Sequence, residues 1–119
     1  MSLGDAPEST TVRAALGERA GAAHLHNTRG LGLANCLAAY DVGVRVFDSS
    51  LAGLGGCPYA KGATGNVATE DVVYLMHGLG IETGIDLDKL IDAGVFISEA
   101  LGRKPNSLVS RAVLNKRSA

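Results

Sequence analysis

Two histidines, one cysteine and one asparagine are the residues of this 119-residue chain best placed to do chemistry. His24-Leu25-His26 lies in a short apolar stretch, Ala22 to His26, closed by Asn27-Thr28. That stretch reads as a strand. Side chains alternate across a strand, so both imidazoles face one side and Leu25 faces the other. Paired imidazoles at a strand's end suit a divalent metal. Amide oxygens such as those of Asn27 and Asn66 are further donors for a hard cation. Two histidines with oxygen donors fit Mg2+ or Mn2+ in a water-rich site and do not describe a tetrahedral structural zinc site. The competing reading is a pair of hydrogen-bonded core histidines.

The cysteine is Cys57, inside Gly53-Leu-Gly-Gly-Cys-Pro-Tyr-Ala-Lys-Gly-Ala-Thr-Gly-Asn66. This segment is too long and too rich in glycine for an ordinary turn, and it reads as an active-site lid presenting a thiol. A thiol there can transfer protons or act as a nucleophile once its pKa is lowered. As a small buried hydrophobe it would do neither. Cys36 falls on an apolar helix face and reads as core. The loop could instead cradle a phosphate at the helix that follows, but it matches neither Gly-x-Gly-x-x-Gly nor the P-loop pattern. Asp5 and Asp48 both end strands. Asp5 could orient a ligand or cap the next helix, and Asp48 could orient a ligand or hold its turn. His77 reads as a solvated helix residue.

The elements that must position these groups alternate strand and helix. A stub at Ser2 to Gly4 ends on Asp5, and a helix runs from Pro7 to Glu18. The strand Ala22 to His26 leads to a helix over Leu31 to Asp41, stopped by Gly43, and then to a strand over Val44 to Phe47. Asp5, Asn27 and Asp48 close the three strands at intervals of 22 and 21 residues. A near-constant period with a helix inside each unit is a βα repeat with parallel strands. Polar residues where such strands end mark the functional face of barrels and open sheets. After the loop, Thr69 is expected to cap a helix carrying Val72, Leu75, Met76 and Leu79, with Glu70 and Asp71 favouring its positive end. Asp86 is expected to cap a further helix ended by Gly102.

Three strands are too few for a complete barrel of roughly 250 residues. The fold class expected is therefore α/β, the C-terminal part of a (β/α)8 barrel with about three parallel βα units and added C-terminal helices. Residues 1–102 read as that partial barrel domain with its cysteine loop at 53–66. Residues 103–119, with five basic residues and no acid, read as a basic, partly ordered surface tail. The open edges of such a sheet invite pairing with a second copy or a complementing chain.

Composition narrows the partners. The net charge is −1 and aromatics make up 4% of residues, which disfavours nucleic acid. No apolar run approaches the roughly 20 residues needed to span a bilayer, so no membrane partner is expected. The start has neither the basic leader nor the apolar core of a signal peptide. Two cysteines give no disulfide framework, and a reduced, cytoplasmic setting follows as the expectation.

From His24 to Leu101 the chain resembles the hydroxymethylglutaryl-CoA lyase family. The resemblance is carried by His24-Leu-His-Asn-Thr-Arg-Gly30, Val46-Phe-Asp-Ser-Ser50 and Gly53-Leu-Gly-Gly-Cys-Pro-Tyr-Ala60. It continues through Gly65-Asn-Val-Ala-Thr-Glu-Asp71 and Gly78-Leu-Gly-Ile-Glu-Thr-Gly84. It implies a metal-dependent (β/α)8 barrel that cleaves 3-hydroxy-3-methylglutaryl-CoA to acetyl-CoA and acetoacetate. It implies His24, His26 and Asn66 as ligands of Mg2+ or Mn2+, with His24 also catalytic. It implies Cys57 as the loop group that manages protonation of the acetyl-CoA enolate, Asp5 as a further active-site group, and a small acyl-CoA as substrate. The family commonly has Asp where Asn27 stands and Tyr where Arg29 stands, which leaves room for a related acyl-CoA. Its first-strand arginine and metal-binding aspartate have no match here. Very weak turnover, or none, is therefore expected of this chain alone.

Overall fold

The computed structural model describes residues 21–55 and 65–118. The expected stub ending at Asp5, the helix from Pro7 to Glu18, and Cys57 lie outside the described residues. Within them the order is β1 (Ala22–His24), α1 (Gly32–Asp41), β2 (Val46–Asp48), a 3-10 turn (Leu51–Gly53), α2 (Thr69–Gly78), α3 (Leu87–Ala100) and α4 (Leu108–Arg117). β1 and β2 pair in parallel with Ala22 opposite Val46, Ala23 opposite Phe47 and His24 opposite Asp48. This is the βαβ unit that the 21-residue interval implied.

Both strands are shorter than the apolar runs suggested, for identifiable reasons. Gly43 takes φ +100°, and the Val44 N–H donates to Ala39 O at 3.0 Å. The residue after the glycine is thus bound back to α1 in a Schellman ending, and the ladder starts only at Val46. Beyond His24 and Asp48 the strands stop pairing with each other, and each pairs with the segment returning from the loop. Val67 N–H donates to Leu25 O, and Ser50 N–H donates to Val67 O, both at 3.0 Å. Isolated bridges join His26 to Asn66 and Ser50 to Ala68. The end of the long loop is thereby stitched to both strand ends.

The core lies behind this sheet. Ala23 from β1 and Leu25 just after it face the core, and Cys36, Ala39, Val44, Val67, Val72 and Met76 complete it. The Cys36 thiol is pushed up to about 11 by burial, in keeping with the core role expected of it. The opposite face of β1 and β2 is open, and Val46 on it is 56% exposed. α3 begins as expected, with Asp86 accepting from Lys89 N–H at 3.1 Å.

Two expectations need correction. Thr69 is the first residue of α2, not its cap. Ala68 holds the cap position, and the Thr69 hydroxyl bonds the Ser49 hydroxyl at 2.8 Å. The stretch after Arg103 is not merely a loose extension, because it holds α4, capped by Ser107 on Ser110 N–H at 3.0 Å. Arg117 in the last turn of α4 pairs with Asp92 at 2.7 Å and Asp88 at 3.2 Å on α3. Sequence polarity concealed this helix, whose docking depends on buried serines rather than on a broad apolar face.

Candidate active site

The parallel register places His24 beside Asp48, and Nδ1 of the imidazole lies 3.3 Å from Oδ2 of the carboxylate. Of the two roles open to Asp48, the structure shows contact with a candidate ligand. His26 follows two residues later on the same exposed side, its ring centroid 5.4 Å from that of His24. Leu25 between them is buried. The two imidazoles therefore share the open face, as strand alternation requires.

Asn66 reaches this place through its bridge to His26. Its side-chain oxygen is buried and has no hydrogen-bond partner among the described residues. An unpaired buried acceptor costs about 1–3 kcal/mol, so an amide oxygen in this state, on a residue bridged to His26, is a chemically suitable further donor for a divalent cation. Among the described residues no three His, Cys, Asp or Glu side chains come together as a cluster. The candidate donors here are two imidazoles and one amide oxygen, with the Asp48 carboxylate as the partner of His24 and not a further donor. The other amide counted as a donor, Asn27, is occupied elsewhere: its Oδ1 accepts the Gly32 N–H at 2.9 Å, at the start of α1. His77 lies on the exposed end of α2 with Nε2 2.8 Å from Thr83 Oγ1. It lines an open cleft of about 590 Å³ with residues 80–86, apart from the histidine pair.

A second group of functional-looking residues escaped the sequence reading. Glu70 and Asp71, expected only to favour the start of α2, are 0% and 5% exposed. Glu70 accepts the Ala52 N–H on both oxygens, at 2.9 and 3.1 Å, and accepts the Ser110 hydroxyl at 3.1 Å. Asp71 accepts the Ser107 hydroxyl at 2.6 Å and the Val109 N–H at 3.1 Å. One signal could have revealed Glu70. Gly94 sits inside α3, where glycine is unfavourable by about 1 kcal/mol relative to alanine, and a Cβ there would lie 2.8 Å from Glu70 Oε2.

The family description HMGL-like matches residues 10–97 of the chain. The chain belongs to the HMGL-like family. Over 91 residues it is 63% identical to the mitochondrial hydroxymethylglutaryl-CoA lyase of Gallus gallus, covering 76% of this chain and 30% of that protein. Over 94 residues it is 61% identical to the cytoplasmic 3-hydroxy-3-methylglutaryl-CoA lyase of Danio rerio, covering 79% of this chain and 28% of that one. A solved hydroxymethylglutaryl-CoA lyase from Pseudomonas aeruginosa superposes with a TM-score of 0.85 at 49% identity, over 93% of this chain and 38% of that chain. An HMG-CoA lyase from Acinetobacter baumannii, solved with coenzyme A and 3-methylmalate, gives 0.82 at 43% identity, over 94% and 37%. This HMGL-like chain is thus an α/β segment of a TIM barrel. It spans under a third of the length of these curated relatives. They include mitochondrial and cytoplasmic forms. Among the described residues no helix is long and apolar enough to cross a membrane.

Proposed function

We propose that this chain carries part of the active site of a divalent-metal-dependent carbon–carbon lyase that cleaves 3-hydroxy-3-methylglutaryl-CoA to acetyl-CoA and acetoacetate. The observation that carries the reading is the His24–His26 pair on one exposed face, bridged through His26 to Asn66, whose side-chain oxygen is buried with no partner among the described residues. The names of its relatives supply the reaction and the acyl-CoA class of substrate. In this reading His24, His26 and Asn66 hold Mg2+ or Mn2+, and Asp5 is a further active-site group outside that ligand set. A bound divalent cation supplies positive charge to substrate oxygens on which negative charge develops.

The reaction needs a proton removed from the tertiary 3-hydroxyl. The oxygen's electron pair becomes the new ketone, the C2–C3 bond breaks, and its electrons form the acetyl-CoA enolate, which then takes a proton at C2. When His24 donates Nδ1–H to Asp48, the lone pair lies on Nε2. That nitrogen can hold the cation or take the hydroxyl proton, one at a time. Asp48 orients the ring in either role. Cys57 is assigned to the return of the proton to the enolate, which accords with a thiol kept reduced.

A second reading is a non-catalytic remnant that keeps metal binding or only the fold. It is favoured by the open face of β1 and β2, where Val46 is 56% exposed. A related acyl-CoA as substrate is the remaining variant. Mn2+ titration followed by electron paramagnetic resonance tests the metal site: equal binding by wild type and His26→Ala would make the pair structural. A coupled assay for acetoacetate tests the chemistry. Turnover of the isolated chain is expected to be very weak or absent, because removing one preorganised electrostatic group already lowers rates about 10²–10³-fold.

A further inference from the structure

The buried carboxylate of Glu70 has no part in the proposed chemistry, yet it touches the turn that opens the cysteine loop and the C-terminal helix together. Ala52 in that turn takes φ +55°, a left-handed conformation unusual for a residue with a side chain. Both its backbone groups are held. Its N–H donates to Glu70, and its carbonyl accepts the Asn106 N–H at 2.9 Å. Ser110 on α4 donates to the same Glu70 oxygen that lies against Gly94. Gly53, next in the turn, lies so close to Asn106 that a Cβ would meet its carbonyl oxygen at 2.6 Å.

The turn in turn supports the far end of the loop. Gly65 rests directly on the carbonyls of Gly53, Leu54 and Gly55, leaving no room for a Cβ. Asn66 follows it and faces His26, and Val67 ties the segment to Leu25 and Ser50.

We propose that α4 positions the Asn66 side chain. Ser110 and Asn106 fix the turn at Ala52–Gly55 through Glu70 and the Ala52 carbonyl, and that turn fixes Gly65 and Asn66. Ser110 is therefore a positioning residue for a group it does not touch. The inference rests on the proposed metal site only in the second of its two readouts.

The first readout is amide hydrogen exchange in the full chain carrying Ser110→Ala, with Ser110→Thr as the hydroxyl-keeping variant and Lys116→Ala as an exposed control on the same helix. Expected is a rise of about fivefold or more at the Ala52 and Val67 amides together, the lower end of typical coupling between sites. The Cys36 amide in α1 should stay unchanged, and Ser110→Thr and Lys116→Ala should behave as wild type. The second readout is Mn2+ affinity, expected to fall about fivefold in Ser110→Ala and to be restored in Ser110→Thr. Faster exchange at Ala52 with Val67 unchanged would overturn the proposal. So would a uniform rise that includes Cys36. Coupled exchange in a chain that binds no Mn2+ would support the positioning role and refute the metal reading. Should Ser110→Ala fail to fold, Glu70→Gln, which keeps one acceptor oxygen, is read by the same criteria.

Discussion

At the ends of β1 and β2, His24 and Asp48 are exposed and 3.3 Å apart, and Asn66, bridged to His26, holds an oxygen with no partner among the described residues. At the start of α2, Glu70 and Asp71 are buried, and their oxygens accept from Ala52, Ser107, Val109 and Ser110. The first region leaves its imidazoles exposed and one buried amide oxygen unpaired among the described residues. The second satisfies its charges internally and ties three segments of chain together. Polar residues close in sequence, from Asn66 to Asp71, thus serve opposite ends: an oxygen left unpaired among the described residues, and carboxylates held in place. The difference teaches that an acidic residue in this fold is not by that fact a candidate ligand. What separates the two uses is whether a donor from elsewhere in the chain already fills the oxygen.

The comparison breaks most visibly at Glu70. Glu70→Ala leaves the Ala52 N–H and the Ser110 hydroxyl without their acceptor in a buried place, at about 1–3 kcal/mol for each group left unpaired. Urea unfolding should show a loss of about 3 kcal/mol or more; a loss under 1 kcal/mol would mean that water replaces the carboxylate and the knot is dispensable. Gly94→Ala probes the same knot from α3. Helix propensity alone predicts a gain of about 1 kcal/mol, whereas a Cβ 2.8 Å from Glu70 Oε2 predicts a net loss of about 1–3 kcal/mol from overpacking. Thermal unfolding gives the sign.

The exposed region should respond in affinity instead of stability. Asp48→Asn should lower Mn2+ affinity about 10-fold, as losing the partner of a ligating histidine commonly does, while stability changes by no more than about 0.5 kcal/mol. A large stability loss with unchanged Mn2+ binding would turn the histidine face into another structural knot. The smallest effect concerns Cys36. Its folded-state thiol stays protonated from pH 9 toward about 11, where the unfolded thiol ionises. Its contribution to stability is therefore fully present below pH 9 and lost as pH rises through that window. Mass mapping after brief iodoacetamide treatment near pH 8 should find Cys36 unmodified and Cys57 labelled first.

Much of the site could be read from local pattern alone. Strand alternation puts His24 and His26 on one side around buried Leu25, because period two is a property of the backbone. The interval between strand-closing residues gave the parallel pairing of β1 and β2, since a crossover helix requires that length. The apolar faces around Cys36 and Met76 gave the core, and Asp86 gave a helix start. These signals each lie within one element or one repeat.

Other features were decided only by residues meeting across the fold. Asn27 and Asn66 are the same residue type, yet one oxygen accepts from the Gly32 N–H and the other has no partner among the described residues. The Thr69 hydroxyl shares a hydrogen bond with that of Ser49, 20 residues away, and Ala68 holds the cap position. α4 looked like a basic tail because its anchorage is two serine hydroxyls reaching Glu70 and Asp71, 40 and 36 residues earlier. The amino-acid order by itself determined which side chains share a face and where helices start and stop. Which oxygens are filled and which remain open was settled by long-range hydrogen bonds, whose partners no local period encodes.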